Sequence, residues 1–360
     1  MSIAPFDHPF LSGLLGDAEI SRAFSVESDL EAMIRFEAGL ADAEAEIGVI
    51  PSAAAAAIVA ACSSFSPDIE ALRAGTRKDG GVVPDLVRQL RAAVGEEHGR
   101  YVHVGATSQD LIDTSLVLRL QPVLDLFGNR LRGIAEALDR LDRTFGDRPL
   151  MGKTRMRSAI PMRVGDRLRS WSEPIGSHLA ELEKIRPRLS MLQFGGAVGT
   201  LDALGDEAAQ VRAALAARLK LRDPLGPWHV QRLPLGQFGS FLSEIGVTLG
   251  KIGTDVCLMV QDEIATLQSD GGGHSSAMPH KRNPIDAETL VALARYNAAQ
   301  LGGLHQSLIH EQERSGAMWT LEWLILPPMV AATGAALATA QRMLGAVSAL
   351  GGPVEDRTGR

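Results

Sequence analysis

A bundle of long α-helices is the fold class this sequence predicts, and three observations predict it. Aromatic residues make up only 4% of the 360 positions, Ala and Leu abound, and alternating Val/Ile/Thr runs are scarce, which favours helix over sheet. Apolar residues recur every three and four positions over unusually long stretches. At 45% hydrophobic and 22% charged, the chain has ample material for a core.

The charged segment from Val26 to Ile47 reads as the first substantial helix, stopping near Pro51, within an N-terminal helical domain over residues 1–103. Leu116, Leu120, Val123, Phe127, Leu131, Ile134, Leu138, Leu141 and Phe145 then mark one amphipathic helix from Ser108 to Phe145, kinked by Pro122. At about 1.5 Å per residue it would run roughly 50 Å, longer than a small domain is wide. Phe238, Leu242, Ile245, Leu249, Ile252, Val256 and Met259 alternate four and three without a miss. A third rod carries Leu290, Leu293, Leu301, Leu304 and Leu308, interrupted by Asn297. These rods define a central bundle over residues 104–345. Stripes of this length usually need other subunits to cover them, although a monomeric bundle or a coiled-coil scaffold without chemistry would show the same periodicity. Residues 346–360 form a short tail whose end, GGPVEDRTGR, is expected to fray.

A net charge of −7 opposes broad attraction to nucleic acid or anionic membrane, so an anionic ligand would need a local basic pocket. Cys62 and Cys257 lack the spacing of a zinc or redox motif, and the start MSIAPFDHPF has no basic segment followed by an apolar one. A reducing cytoplasm is the expected location. No apolar run reaches the about 18 residues that a membrane span requires.

Three polar clusters stand out. GGGHSSAMPHKRNP, from Gly271 to Pro284, sets a glycine hinge, two hydroxyls, two histidines and two cations before a helix start. Asn283 is a favoured N-cap, Pro284 suits the first helical position, and Asp286 and Glu288 complement the dipole. Free N–H groups with Lys281 and Arg282 could hold a carboxylate or phosphate near His274, Ser275, Ser276 or His280. The second cluster, His103 to Asp110, places His103, Thr107, Ser108 and Gln109 at a helix N-terminus behind Gly105, with Thr107 and Asp110 resembling a capping box. In the third, Lys153-Thr154-Arg155-Met156-Arg157, an extended backbone would project three cations to one side, where they repel unless an anion lies between them. Taken singly, each cluster also reads as an ordinary capped loop or solvated face.

Together with the rods, these segments resemble the three signature regions of the fumarase/aspartase superfamily. Its members make or break a C–O or C–N bond beside a carboxylate-activated carbon. Within it, HVGATSQDLIDT at 103–114 and HEQERSGAMWTLEWLILP at 310–327 look most like the 3-carboxy-cis,cis-muconate cycloisomerases of protocatechuate breakdown in the β-ketoadipate pathway. The resemblance runs from about Leu15 to Met343. The chain carries Thr154-Arg155 and Arg157 where many relatives have Thr-His and then Gln, which removes the usual second-region histidine. It also stops where relatives continue into a small C-terminal helical domain.

The resemblance implies a reaction in which a substrate carboxylate adds to a double bond conjugated with another carboxylate, giving 4-carboxymuconolactone. Ser275 would take the acid/base position, with Lys281 and Asn283 stabilising the enediolate-like charge and His103 the alternative proton donor. Thr107, Ser108, Gln109, Thr154, Arg155, Arg157, Met278, His280, Arg282 and Arg314 would contact the remaining parts of a small tricarboxylate. No metal and no cofactor is implied. The family's site is shared between subunits of a homotetramer, so a monomer is expected to be inactive. A lyase resembling adenylosuccinate lyase and a non-catalytic helical scaffold are the rival readings.

Overall fold

The structure, a computed structural model, describes residues 4–224, 226–274, 277–278 and 280–354. The helix Val26–Ile47 forms within its expected bounds. Ser25 caps it by accepting from the Ser28 N–H at 3.2 Å, Glu27 and Asp29 complement its first turn, and Gly48 ends it in the left-handed region at φ 90°. It buries Met33, Phe36 and Leu40.

Five long helices make the bundle: Ser108–Phe145, Val164–Leu189, Leu233–Met259, Ile285–Gln306 and Gly316–Gly345. The first, third and fourth match the three expected rods, and the 38-residue Ser108–Phe145 helix carries Pro122 within it. The other two are additional. Pro174 and Pro187 punctuate one, Pro327 and Pro328 the other, and each helix runs on through them. Gly316–Gly345 is long and apolar enough to cross a membrane, contrary to expectation, but 67% of its most apolar window is buried inside the bundle.

The Leu233–Met259 helix meets Ile285–Gln306 along a stripe of small residues. A Cβ added at Gly250 would lie 2.6 Å from the Ala294 Cβ, and one at Gly253 would lie 2.6 Å from the Ala287 carbonyl. Only glycine permits that approach. Asn297, which interrupts the leucine pattern, is buried because its Nδ2 donates to Thr333 Oγ1 at 2.8 Å and to the Met329 carbonyl at 3.3 Å, tying two helices together.

The chain passes back and forth along this bundle, so its connections gather at two ends. Segments 103–109, 193–197, 229–232 and 310–315 are hydrogen-bonded to one another at the first end. At the second, Pro149–Thr154 pairs antiparallel with Arg157–Arg163, Leu267–Ser269 with Val347–Leu350, and Gly273–His274 with Arg282–Asn283. The Gly351 N–H reaches the Thr266 carbonyl at 2.9 Å and the Gly352 N–H reaches the Pro149 carbonyl at 3.0 Å, which draws these pieces together. The start of the expected tail is therefore ordered: Val347–Leu350 is a strand, and Leu350 is fully buried. The last six residues lie outside the described part. With 38 residues between them, the two ends stand on the order of 55 Å apart.

Candidate active site

At the first end the chain builds a dense polar cluster on the first turns of the Ser108–Phe145 helix. Thr107 and Asp110 form the expected capping box, with the Thr107 N–H donating to Asp110 Oδ2 at 3.0 Å. Asp110 is fully buried and accepts three further hydrogen bonds, from the Gly195 and Gly196 N–H groups, both at 2.9 Å, and from His229 Nε2 at 2.7 Å. One carboxylate thus fixes the helix start and a glycine turn against each other. The turn is close because a Cβ at Gly196 would sit 2.8 Å from the Gly105 carbonyl, and Gly196 has φ 68°.

Gln109 is also fully buried. Its Nε2 donates to the His229 carbonyl at 2.9 Å and to Asp113 Oδ2 at 3.2 Å, while its Oε1 accepts from Arg314 Nε at 3.2 Å. Arg314 further donates to the Gly196 and Ala197 carbonyls. Beneath them Arg232 is locked between two carboxylates, donating to Asp113 at 2.6 and 3.0 Å and to Glu322 at 2.6 and 3.0 Å. Burial acts against its charge, but Asp113 and Glu322 outweigh burial and raise its pKa further. Burial pushes the Glu322 carboxyl up, with Arg232 opposing and Asp113 reinforcing. His310, beside this group, is pushed down by burial and by Arg232.

His103 sits at the rim of this cluster with its Nδ1 at 2.5 Å from Glu37 Oε1, across from the Val26–Ile47 helix. Burial opposes its charged form, but Glu37, with a smaller contribution from Asp110, holds its pKa above the usual histidine value. Thr107 and Ser108 are half-buried beside it.

The second end holds the described part of the Gly271–Pro284 loop and the basic hairpin. Ser275 and Ser276 lie outside the described residues, as does the side chain of His274. Met278, His280, Lys281 and Arg282 are exposed and Asn283 is half-buried. A pocket of about 310 Å³ opens beside them, lined in part by Ser269, His280, Arg282 and Asn283. Asn283 is not an N-cap as expected: it pairs with Gly273 in a strand, and the following helix starts at Ile285 with Pro284 in the cap position. Asp286 and Glu288 do fall in its first turn.

The basic run is likewise not one extended strand. Arg155 and Met156, at φ 48° and 65°, form a two-residue hairpin turn, and Thr154 pairs with Arg157. The reversal breaks the two-residue alternation. Lys153, opposite Ser158, and Arg157, opposite Thr154, consequently sit on different faces of the ribbon. Lys153 and Arg155 instead line a pocket of about 340 Å³ together with Arg167 and Asp255. Thr154, Arg155 and Arg157 are all exposed.

One chain therefore brings together His103, Thr107, Ser108, Gln109 and Arg314 at the first end. The hairpin and the Gly271–Pro284 loop lie at the second. A carboxylate at the first end would meet a helix N-terminus and Arg314; at the second end, Arg282 lines one pocket and Lys153, Arg155 and Arg167 another.

A family model described as lyase matches residues 17–296. This chain belongs to the lyase family of the fumarase/aspartase superfamily. Over 91% of its length it is 40% identical to the 3-carboxy-cis,cis-muconate cycloisomerase of Pseudomonas aeruginosa, covering 72% of that protein. It is 39% identical to the Pseudomonas putida protein of the same name, over 88% of this chain and 77% of that one. Among solved structures, the 3-carboxy-cis,cis-muconate lactonizing enzyme of Pseudomonas putida superposes with a TM-score of 0.89 at 38% identity, over 94% of this chain and 77% of that one. The long-helix fold expected of this lyase family is the one the chain adopts.

Sequence reading did not find Glu37, Asp113, His229, Arg232 or Glu322. Their side-chain partners across the fold stand 66 to 119 positions away, beyond the reach of any local pattern.

Proposed function

We propose that this protein is a cycloisomerase converting 3-carboxy-cis,cis-muconate to 4-carboxymuconolactone. The observation that carries the reading is its 40% identity, over nine-tenths of the chain, to an enzyme of that name. A superposition at TM-score 0.89 on a lactonizing enzyme supports it. The chemistry requires no external nucleophile, since one carboxylate of the substrate attacks its own diene. Charge then moves onto the carboxylate conjugated with the accepting double bond, and a proton must reach the adjacent carbon.

The site roles belong to the same proposal. Ser275 exchanges the proton, Lys281 and Asn283 stabilise the enediolate-like charge, and His103 is the alternative proton donor. Thr107, Ser108, Gln109, Thr154, Arg155, Arg157, Met278, His280, Arg282 and Arg314 receive the rest of the substrate. The two ends stand a helix length apart, so the proposal requires at least two chains per site, in a homotetramer whose sites are shared. Cys62 and Cys257 are both free thiols, in keeping with the proposed cytoplasmic location.

The test is ultraviolet absorbance of the purified protein with 3-carboxy-cis,cis-muconate and, separately, with adenylosuccinate. Loss of the diene absorbance with the first alone is the expected result. Turnover of adenylosuccinate, or of neither compound, overturns the assignment.

A further inference from the structure

We infer that Glu37, on the buried face of the Val26–Ile47 helix, is the positioning residue of His103, fixing its ring so that Nδ1 is held and Nε2 is presented to the substrate. The inference rests on the proposed role of the first-end cluster. Glu37 Oε1 lies 2.5 Å from His103 Nδ1, with the His103 side chain 11% exposed and that of Glu37 2% exposed. A carboxylate can only accept, so Nδ1 donates and the tautomer is set. Two further observations point the same way. His103 has φ 65°, a left-handed backbone that a non-glycine residue adopts at a cost. Glu37 has no competing partner among the described residues: its Oε2 is buried without a hydrogen bond.

The surroundings supply the right number of charges. Glu44, two turns along the same helix, is fully buried, and both of its oxygens lack partners. Burial, and then Glu37, push its pKa up to about 9, so at neutral pH it is uncharged. The Cys62 thiol is pushed up to about 12 by the same two causes and stays protonated. From the Ser108–Phe145 helix, Asp110 favours the His103 cation, and from the Val83–Val94 helix Arg91 opposes it. Among the described residues, Glu37 is thus the one charge in direct contact with the ring.

The test uses the full-length assembled protein labelled with 13C at histidine Cε1, the His103 signal being assigned from its loss in His103→Asn. In wild type the signal should titrate above the usual histidine pKa. In Glu37→Gln it should titrate below wild type, because burial, aided by Arg91, is then opposed only by the smaller effect of Asp110. If the proposed reaction is confirmed, kcat/KM at neutral pH should fall on the order of tenfold or more in Glu37→Gln, with its pH profile displaced toward acid. Glu37→Asp, which keeps the charge on a shorter arm, should fall between the two and serves if Glu37→Gln does not fold. An unchanged His103 titration in Glu37→Gln, or in Glu37→Asp where that variant has to serve, overturns the inference. So does an activity loss with an unmoved pH profile. The titration needs no substrate, so failure of the assigned reaction and failure of the Glu37–His103 pairing are read separately.

Discussion

Arg314 donates its Nε–H to Gln109 Oε1 at 3.2 Å, although the two residues stand 205 positions apart. With its other nitrogen on the carbonyls of Gly196 and Ala197, the guanidinium bridges the first turn of the longest helix and the glycine turn that faces it. Lysine offers a point charge without that planar fork. Arg314→Lys should therefore lower kcat/KM on 3-carboxy-cis,cis-muconate by about tenfold or more, and lower the unfolding midpoint as well, because the bridge to buried Gln109 is lost. Steady-state kinetics alongside thermal unfolding check this, and a fully active lysine variant would show the fork to be dispensable.

Separation of the two ends gives a complementation test. His103→Asn alters the first end, and Ser275→Ala removes the serine proposed to exchange the proton, a loss that should cost roughly a hundredfold. Unfolding and reassembling the two inactive proteins together should restore part of the activity, since some sites then receive both intact segments. Mixed tetramers verified by mass that stay inactive would refute shared sites.

Arg232 holds Asp113 and Glu322 with all three side chains at 1% exposure or less. Such a set contributes little net stability when whole but leaves an uncompensated charge when broken. Glu322→Ala should destabilise the protein by about 3 to 5 kcal/mol. Urea unfolding measures this, and a change below about 1 kcal/mol would mean that Arg232 finds water or another partner.

Glu44 makes stability depend on pH. Its folded pKa of about 9 lies above the unfolded carboxyl value of 4.5, so between these limits the unfolded chain has released a proton that the native one keeps. Stability should consequently fall as pH rises through that window, by at most about 1.4 kcal/mol per pH unit from this group. Glu44→Gln, neutral at every pH, should remove this contribution, so that the variant gains on wild type between pH 5 and 9. Parallel unfolding curves across that range would contradict the assignment.

The parts of the fold that announced themselves in the sequence are those with one wet face. Val26–Ile47 and Ser108–Phe145 were legible because polar residues alternate with a single apolar stripe. Gly316–Gly345 was not, being apolar nearly all round, with two prolines that ordinarily stop a helix. Val164–Leu189 hid behind Pro174 and Pro187 in the same way. In the candidate site, Thr107 and Asp110 carried a local capping pattern and could be read directly. The turn at Arg155 and Met156 could not, because two-residue hairpins usually advertise themselves with Asn-Gly or a similar pair, and here long side chains occupy both left-handed positions. Arg232, Asp113 and Glu322 left no trace, since folding alone makes them neighbours.

The 38-residue span of the Ser108–Phe145 helix also bears on how the protein behaves on dilution. If every working site takes one end from each of two or more chains, the rate is not first order in protein near the dissociation constant of the assembly. Specific activity would then decay with each dilution step and return on reconcentration, with substrate itself acting as the glue that shifts the association equilibrium.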